Sequence, residues 1–268
     1  IGDAYSLESW FALFVDPSAG PGHLEQSCAR WQPDVLLATP KAHLLRLRSR
    51  ALRAIPVKIS LGCWLPATHI WPRKLPGTPL AGSRAEPDDP ALVTFTSGST
   101  GVPKAAVRTH RFLLAQHRAL APAISLAAGE IDYATLPIFV LANLASGATT
   151  IIPDLDLRRP GAVDGSRAFV QLQKHRANRI TASPAFFQRL ISYGKLTHQS
   201  LPTLEKIYTG GAPVFPHLLE EIGNLAPNAS VVSVYGSTEA EPIAHIDRRE
   251  IRPDDHNAML NGRGLLAG

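Results

Sequence analysis

The chain reads Thr94-Phe95-Thr96-Ser97-Gly98-Ser99-Thr100-Gly101-Val102-Pro103-Lys104. This stretch starts within one run of β-forming residues, Leu92–Thr96, and ends just before another, Ala105–Arg108. The stretch combines hydroxyl side chains, two glycines and one lysine. Glycines let backbone N–H groups turn towards an anion, hydroxyls add donors, and Lys104 supplies a positive charge. The sequence therefore predicts a loop that binds polyphosphate at the end of a strand, in preference to an ordinary Ser/Gly-rich turn.

Two other well-known loops do not fit this spacing. A Walker P-loop requires Gly-x-x-x-x-Gly-Lys-Ser/Thr, whereas Lys104 follows Pro103 and precedes Ala105. A hydrolase nucleophile elbow requires Gly-x-Ser-x-Gly, but Ser99 has Ser97 two residues before it. Both classes of enzyme are excluded for this segment.

A second polar segment, Tyr235-Gly236-Ser237-Thr238-Glu239, follows the apolar run Ser230–Tyr235. An aromatic ring is suited to stack on a base, a hydroxyl to donate to a phosphate, and a carboxylate to hold Mg²⁺. Taken alone, Glu239 would more often be a surface carboxylate than a metal ligand.

A third segment, Gly210-Gly211-Ala212-Pro213, follows the run Leu204–Thr209. Paired glycines permit the backbone to approach a flat ring closely. On its own, a turn that simply ends a strand accounts for this segment equally well.

In this order the three segments resemble those of the adenylate-forming superfamily, which includes acyl-CoA synthetases, peptide-synthetase adenylation domains and firefly luciferase. Ala105 stands where a glycine usually follows the lysine. The resemblance implies that Lys104, Thr238 and Glu239 are catalytic and that Glu239 binds Mg²⁺. It also implies that ATP or AMP contacts three groups of residues: Thr96, Ser97, Gly98, Ser99, Thr100, Gly101 and Lys104; Gly210, Gly211, Ala212 and Pro213; and Tyr235, Gly236, Ser237 and Thr238.

The acid-binding side is predicted from the segment Leu136–Asn143. It resembles a segment in which many acyl- and aryl-CoA synthetases carry an aromatic residue followed by histidine. Phe139 fits the aromatic residue, but Val140 replaces the histidine, which favours an apolar mouth. The resemblance implies acid-binding roles for Phe139, Val140 and Gly211. Phe186 and Phe187 either line a channel for a fatty chain or pack in the core.

Short β-rich runs alternate with helical stretches from Ala91 onward, which predicts an α/β fold with mostly parallel sheets covered by helices on both faces. We expect the large N-terminal part of an adenylate-forming enzyme, divided into a partial subdomain, 1–90, and a nucleotide- and acid-binding subdomain, 91–268. The family resemblance implies a stretch omitted near residues 14–15 and a missing C-terminal lid domain. Local patterns predict a helix over Tyr5–Phe14 and a solvated helix face through Arg46, Arg48, Arg50 and Arg53.

Composition narrows the function classes further. Hydrophobic residues make up 45% of the 268 residues and charged residues 18%, which excludes a disordered chain. The apolar runs are too short to span a bilayer, no secretory leader is visible, and Cys28 and Cys63 lack redox or metal spacing, so we expect a cytoplasmic protein. The net charge is +5, but the basic residues are scattered, and we expect small-molecule partners rather than nucleic acid.

These features together predict an AMP-forming acid ligase. Its carboxylic acid, bound at an apolar site, would be fatty or otherwise hydrophobic, and the acyl-adenylate would pass to coenzyme A. Two alternatives remain: a non-catalytic nucleotide-binding relative, and ring closure of a hydroxy acid. The second rests on Ile152–Asp156 and the histidine-free segment at Phe139, which resemble the olefin-biosynthesis β-lactone synthetases. Without a lid domain, this chain is expected to be nearly inactive alone.

Overall fold

The computed structural model describes residues 11–15, 20–72, 85–96, 104–237 and 242–268, with only the backbone at 96, 137 and 138. Contacts divide the chain into two compact units, Ile1–Leu114 and Ala115–Gly268. The predicted α/β class is confirmed, because parallel strands and helices alternate through most of the described chain. No helix among these residues is both long and apolar enough to cross a membrane.

The first unit contains two three-stranded sheets. Strands β1 and β5 are parallel and β6 is antiparallel to β5, whereas β2, β3 and β4 are all parallel. Its elements are β1 (Ala12–Leu13), α1 (Pro21–Trp31), β2 (Val35–Ala38), α2 (Pro40–His43), a 3₁₀ helix (Leu44–Leu47), α3 (Arg50–Ala54), β3 (Val57–Ser60), β4 (His69–Ile70), β5 (Pro90–Thr96) and β6 (Lys104–Thr109).

Two local predictions in this unit are wrong where the structure describes them. Ala12 and Leu13 form a strand beside Leu92 and Val93 rather than the end of a helix. The arginine-rich stretch is not one amphipathic helix either. A 3₁₀ helix ends at Leu47, and Ser49 starts a new helix by accepting a hydrogen bond from Leu52 N at 3.1 Å, as N-cap serines do.

The second unit is built on a six-stranded sheet with the order β12-β11-β10-β9-β7-β8. All neighbouring pairs are parallel except β11 and β12. Helix α4 (His110–Ala123) begins in the first unit, and the remaining elements are β7 (Ile131–Ala134), α5 (Pro137–Ser146), β8 (Thr149–Ile151), a 3₁₀ helix (Pro160–Ala162), α6 (Gly165–Lys174), β9 (Arg179–Ala182), α7 (Pro184–Thr197), β10 (Lys206–Gly210), α8 (Pro216–Leu225), β11 (Ser230–Tyr235), β12 (Ala244–Asp247), a 3₁₀ helix (Arg248–Glu250) and α9 (Pro253–Leu260).

Helices cover both faces of this sheet, as predicted. Because successive side chains of a strand point to opposite faces, Ile207 and Val231 pack with α6, α7 and α8, whereas Tyr208 and Val232 pack with α4 and α5. We call these the α6–α8 face and the α4–α5 face. Two separate buried clusters therefore hold the sheet between them.

Helix α4 begins after Thr109, whose hydroxyl accepts a hydrogen bond from Phe112 N at 3.2 Å, as N-cap threonines do. Phe112, Ala115 and Ala119 on this helix are exposed. Only its last turn packs on the sheet, where Leu120 is buried together with Ile124, the residue that follows the helix.

Candidate functional site

The predicted phosphate loop joins two paired strands. Thr96, the last residue of β5, pairs with Lys104, the first residue of β6. Lys104 is exposed, so its ammonium group is available to a ligand. Ser97, Gly98, Ser99, Thr100 and Gly101 lie outside the described residues. The structure therefore describes the two strands that flank this loop, β5 and β6.

A buried arginine stabilises this strand pair from within the first unit. Arg108, on β6, is 6% exposed, and its Nη1 donates a hydrogen bond to Thr94 Oγ1 at 2.7 Å. The interaction joins β5 and β6 through side chains as well as through the backbone ladder. Both ends of the predicted loop thus start from a fixed pair of strands.

Glycine is favoured at positions 210 and 211 for different structural reasons. A Cβ on Gly210 would meet the carbonyl oxygen of Val234 at 2.3 Å, so no side chain fits between β10 and β11 there. Gly211 has open space around it but a φ of +77°, which favours glycine. Gly211, Ala212 and Pro213 are all exposed, as a ligand-contacting turn requires.

The second polar segment, which starts at Tyr235, begins where β11 ends. Tyr235 is 55% exposed, and its carbonyl accepts a hydrogen bond from Ile243 N at 2.8 Å, as the chain returns to form β12. Gly236 and Ser237 follow the strand, whereas Thr238 and Glu239 lie outside the described residues. The tyrosine ring is thus presented at the carboxyl end of a parallel strand.

The strand register brings two of the three predicted segments together. Gly210 is paired with Val234, so the glycine turn after β10 and Tyr235 at the end of β11 leave the sheet side by side. Carboxyl ends of parallel strands are where α/β folds bind nucleotides. Lys104 belongs to the other compact unit, and its meeting with Tyr235 around one ATP molecule stays a prediction.

The predicted acid-binding segment forms helix α5, which follows β7 at this same end of the sheet. Phe139 is 2% exposed and shares the buried cluster of the α4–α5 face with Tyr208 and Val234. Its role in binding the acid stays a prediction. Phe186 and Phe187 pack in the core on the α6–α8 face, which is the second of the two interpretations offered by the sequence.

Sequence reasoning missed a group of buried charged side chains on the α4–α5 face. Arg179 and Asp132 are both fully buried, and Arg179 Nε lies 3.9 Å from Asp132 Oδ1. Arg179 Nη1 lies 3.4 Å from Glu130 Oε2, and Lys206 Nζ pairs with the same carboxylate. The charged residues are visible in the sequence, and they lie near the starts of β7, β9 and β10, but their pairing depends on strand order.

Burial sets the electrostatics of this group. Desolvation raises the pKa of Asp132, although the hydrogen bond from Asn143 and the charge of Arg179 act in the opposite direction. Desolvation also raises the pKa of Tyr208, whose ring lies under the Arg179 guanidinium carbon at 4.3 Å from the ring centre. These buried groups therefore contact one another within the α4–α5 face.

Comparison with known proteins agrees with these features. The model of the family described as AMP-binding enzyme matches residues 10–265. An olefin beta-lactone synthetase of Stenotrophomonas maltophilia is 34% identical over 261 residues, covering 90% of this chain and 45% of the relative. A second olefin beta-lactone synthetase, from Xanthomonas campestris pv. campestris, is 33% identical over 273 residues, covering 96% of this chain and 48% of the relative.

The fold has solved counterparts as well. The anthranilate CoA ligase AuaEII, determined in complex with anthranoyl-AMP, superimposes with a TM-score of 0.77 at 15% identity, covering 92% of this chain and 49% of that one. At this identity the likeness concerns the fold alone. The chain spans about half the length of the curated relatives that it matches.

Proposed function

The chain belongs to the AMP-binding enzyme family, and on that basis we propose that its protein activates a carboxylic acid with ATP. The acid carboxylate attacks the α-phosphate, and the bond to pyrophosphate breaks, which leaves an acyl-adenylate. The observation that carries the proposal is the register of β10 and β11, which places the Gly210-Gly211 turn beside an exposed Tyr235.

The three polar segments together bind the parts of ATP that take part in this reaction. Gly211, Ala212 and Tyr235 hold the adenine, while Lys104 and the backbone N–H groups of 97–101 hold the β- and γ-phosphates. Thr238 contacts the α-phosphate. Mg²⁺ is commonly held by one or two carboxylates together with substrate phosphates, so Glu239 suits an ion that enters with ATP. Catalysis then consists of positioning and charge stabilisation.

For the second step we propose ring closure of a 3-hydroxy acid. The hydroxyl oxygen attacks the acyl carbonyl, the carbonyl–oxygen bond to AMP breaks, and the hydroxyl proton passes to a base or to solvent. The products are a β-lactone and AMP. Two relatives that share about a third of their residues with this chain are named olefin beta-lactone synthetases, which favours this step over transfer to coenzyme A.

The experiment uses the protein at the length of its curated relatives. A hydrophobic 3-hydroxy acid and the same acid without the hydroxyl should both support ATP–pyrophosphate exchange, but only the hydroxy acid should yield a β-lactone without coenzyme A. Absence of exchange with a broad panel of acids would reject the adenylation proposal. Product formation only when coenzyme A is added would instead identify an acyl-CoA synthetase.

Glu239→Ala in that protein should lower acid-dependent pyrophosphate exchange by about tenfold or more, because about 1.4 kcal/mol of lost charge stabilisation corresponds to a factor of ten in rate. Asp254→Ala, which removes an exposed carboxylate from α9, is the matched control and should leave the rate unchanged. Equal rates for wild type and Glu239→Ala would remove Glu239 from the mechanism. Calorimetric binding of an adenylate without any turnover would favour a non-catalytic relative.

A further inference from the structure

A single buried amide fastens helix α5 to the sheet. Asn143 is fully buried, and its Nδ2 donates hydrogen bonds to Asp132 Oδ2 at 2.7 Å and to Thr150 Oγ1 at 3.0 Å. Asp132 lies on β7 and Thr150 on β8. One side chain therefore joins the helix to two neighbouring strands.

The carboxylate that receives this amide is itself held across the sheet. Asp132 Oδ1 lies 3.9 Å from Arg179 Nε on β9. Arg179 in turn donates to the carbonyl oxygen of Ile124 at 2.8 Å and stacks on Tyr208 of β10. The Asp132 carboxylate that accepts the hydrogen bond from Asn143 is therefore linked, through Arg179, to β9 and β10 as well as to its own strand β7. It cannot shift without disturbing buried charges.

The other end of the same helix face carries Phe139. Residues four apart lie one above the other on a helix, so Phe139 and Asn143 point to the same side of α5. Phe139 belongs to the buried cluster that contains Tyr208 and Val234, which lie just before Gly210 and Tyr235 on their strands. The orientation of α5 thus sets where Phe139 and Val140 lie relative to the two strand ends.

We propose that Asn143 is a positioning residue that sets the acid-binding side of the site by holding α5 against β7 and β8, and so fixing the direction of its first turn, which carries Phe139. The inference rests on the proposed function and on the acid-binding roles that the sequence predicts for Phe139 and Val140. Asn143 itself touches no substrate. An apolar side chain of similar size at this position would keep the packing area but lose the direction that the two hydrogen bonds impose.

The test is carried out on the 268-residue chain by calorimetry with two probes, AMP and a stable acyl-sulfamoyl adenosine with an aliphatic acyl chain. The ratio of their dissociation constants measures the contribution of the acyl group. Asn143→Leu should reduce that contribution by about tenfold, the scale of one hydrogen bond to a charged group, while leaving the affinity for AMP within about twofold. The control is Leu144→Ala, which removes an exposed side chain of the same helix and should change neither constant.

The reciprocal pair Asp132→Asn with Asn143→Asp reverses donor and acceptor and should restore most of the acyl contribution. If Asn143→Leu does not fold, Thr150→Val removes only the second hydrogen bond and should give a smaller loss of the same kind. An unchanged acyl contribution in a folded Asn143→Leu variant, or an equal loss for both probes, would overturn the inference. Wild-type protein that binds neither probe would instead count against the proposed function.

Discussion

The two faces of the six-stranded sheet are packed by different means. The α6–α8 face is covered by a large cluster of buried apolar side chains that includes Phe169, Leu172, Phe186, Phe187, Leu190 and Ile222. The α4–α5 face has a smaller apolar cluster and, beside it, the buried charges Arg179, Asp132 and Glu130. The face with buried charges is also the one that supports α5 and the Gly210 strand end.

This difference in packing suggests that one face mainly stabilises the fold, whereas the other also positions neighbouring elements. Apolar contacts are non-directional, so a core built from them tolerates changes that keep its volume. A buried charge needs a partner at a particular distance and angle, so it fixes neighbouring elements relative to one another but fails if a partner is removed. We therefore expect the two faces to respond differently to substitution.

The largest effect is expected when Arg179 is replaced by methionine. Arg179→Met leaves the carboxylates of Asp132 and Glu130 without their shared cation, and the free energy of unfolding should fall by about 3–5 kcal/mol. The measurement is urea unfolding followed by circular dichroism.

The matched substitution on the α6–α8 face is Phe186→Leu, which should cost only about 1 kcal/mol because the neighbouring apolar side chains can adjust. If the two variants lost equal stability, the proposed contrast between the faces would be wrong.

The next effect concerns Gly210, at the end of β10 on the α4–α5 face. Gly210→Ala places a Cβ 2.3 Å from Val234 O, and separating β10 from β11 should cost about 1–3 kcal/mol and weaken AMP binding. Gly211→Ala is the control, because its Cβ meets nothing and only the φ of +77° opposes it, at about 1 kcal/mol. A Gly210→Ala variant as stable as Gly211→Ala would show that the two strands separate easily.

A smaller effect, visible as a pH dependence, is expected from Asp132→Asn. Burial raises the pKa of Asp132 in the folded state above its ordinary value of 3.8. As the pH rises above that value, the Asp132 carboxyl ionises first in the unfolded chain. The free energy of unfolding of wild type therefore falls until the same carboxyl also ionises in the folded protein. An asparagine at this position cannot titrate, so the difference in stability between variant and wild type should move in favour of the variant as the pH rises above 3.8. Urea unfolding at several pH values measures this, and a difference that stays flat or falls would contradict it.

The sequence predicted the elements of the second unit better than their contacts. The run Ser230–Tyr235 has the same bounds as β11, and in the first unit the runs Leu92–Thr96 and Ala105–Arg108 fall within β5 and β6, because local patterns of β-forming residues mark these strands. These are the features that local sequence determines.

The contacts that depend on strand order were not predictable. Arg179 is far from Asp132 and Asn143 along the chain, and only the order β9-β7-β8 brings the three residues together. In the first unit, an N-cap at Ser49 interrupted an apparent helical repeat of arginines. Periodicity shows which way a side chain points, but it does not show which distant residue it meets.

The smallest effect is expected from an exposed ion pair between helices α7 and α8. Lys195 on α7 and Glu221 on α8 form a salt bridge whose lysine side chain is 65% exposed. Exposed pairs contribute about 0–1 kcal/mol, because water screens the charges and both side chains lose rotamer freedom. Lys195→Met should therefore change the free energy of unfolding by less than about 1 kcal/mol, and any loss should vanish in about 1 M salt. A loss as large as that of Arg179→Met would mean that exposed charges stabilise this sheet as strongly as buried ones, and that burial on the α4–α5 face has no special role in holding α5.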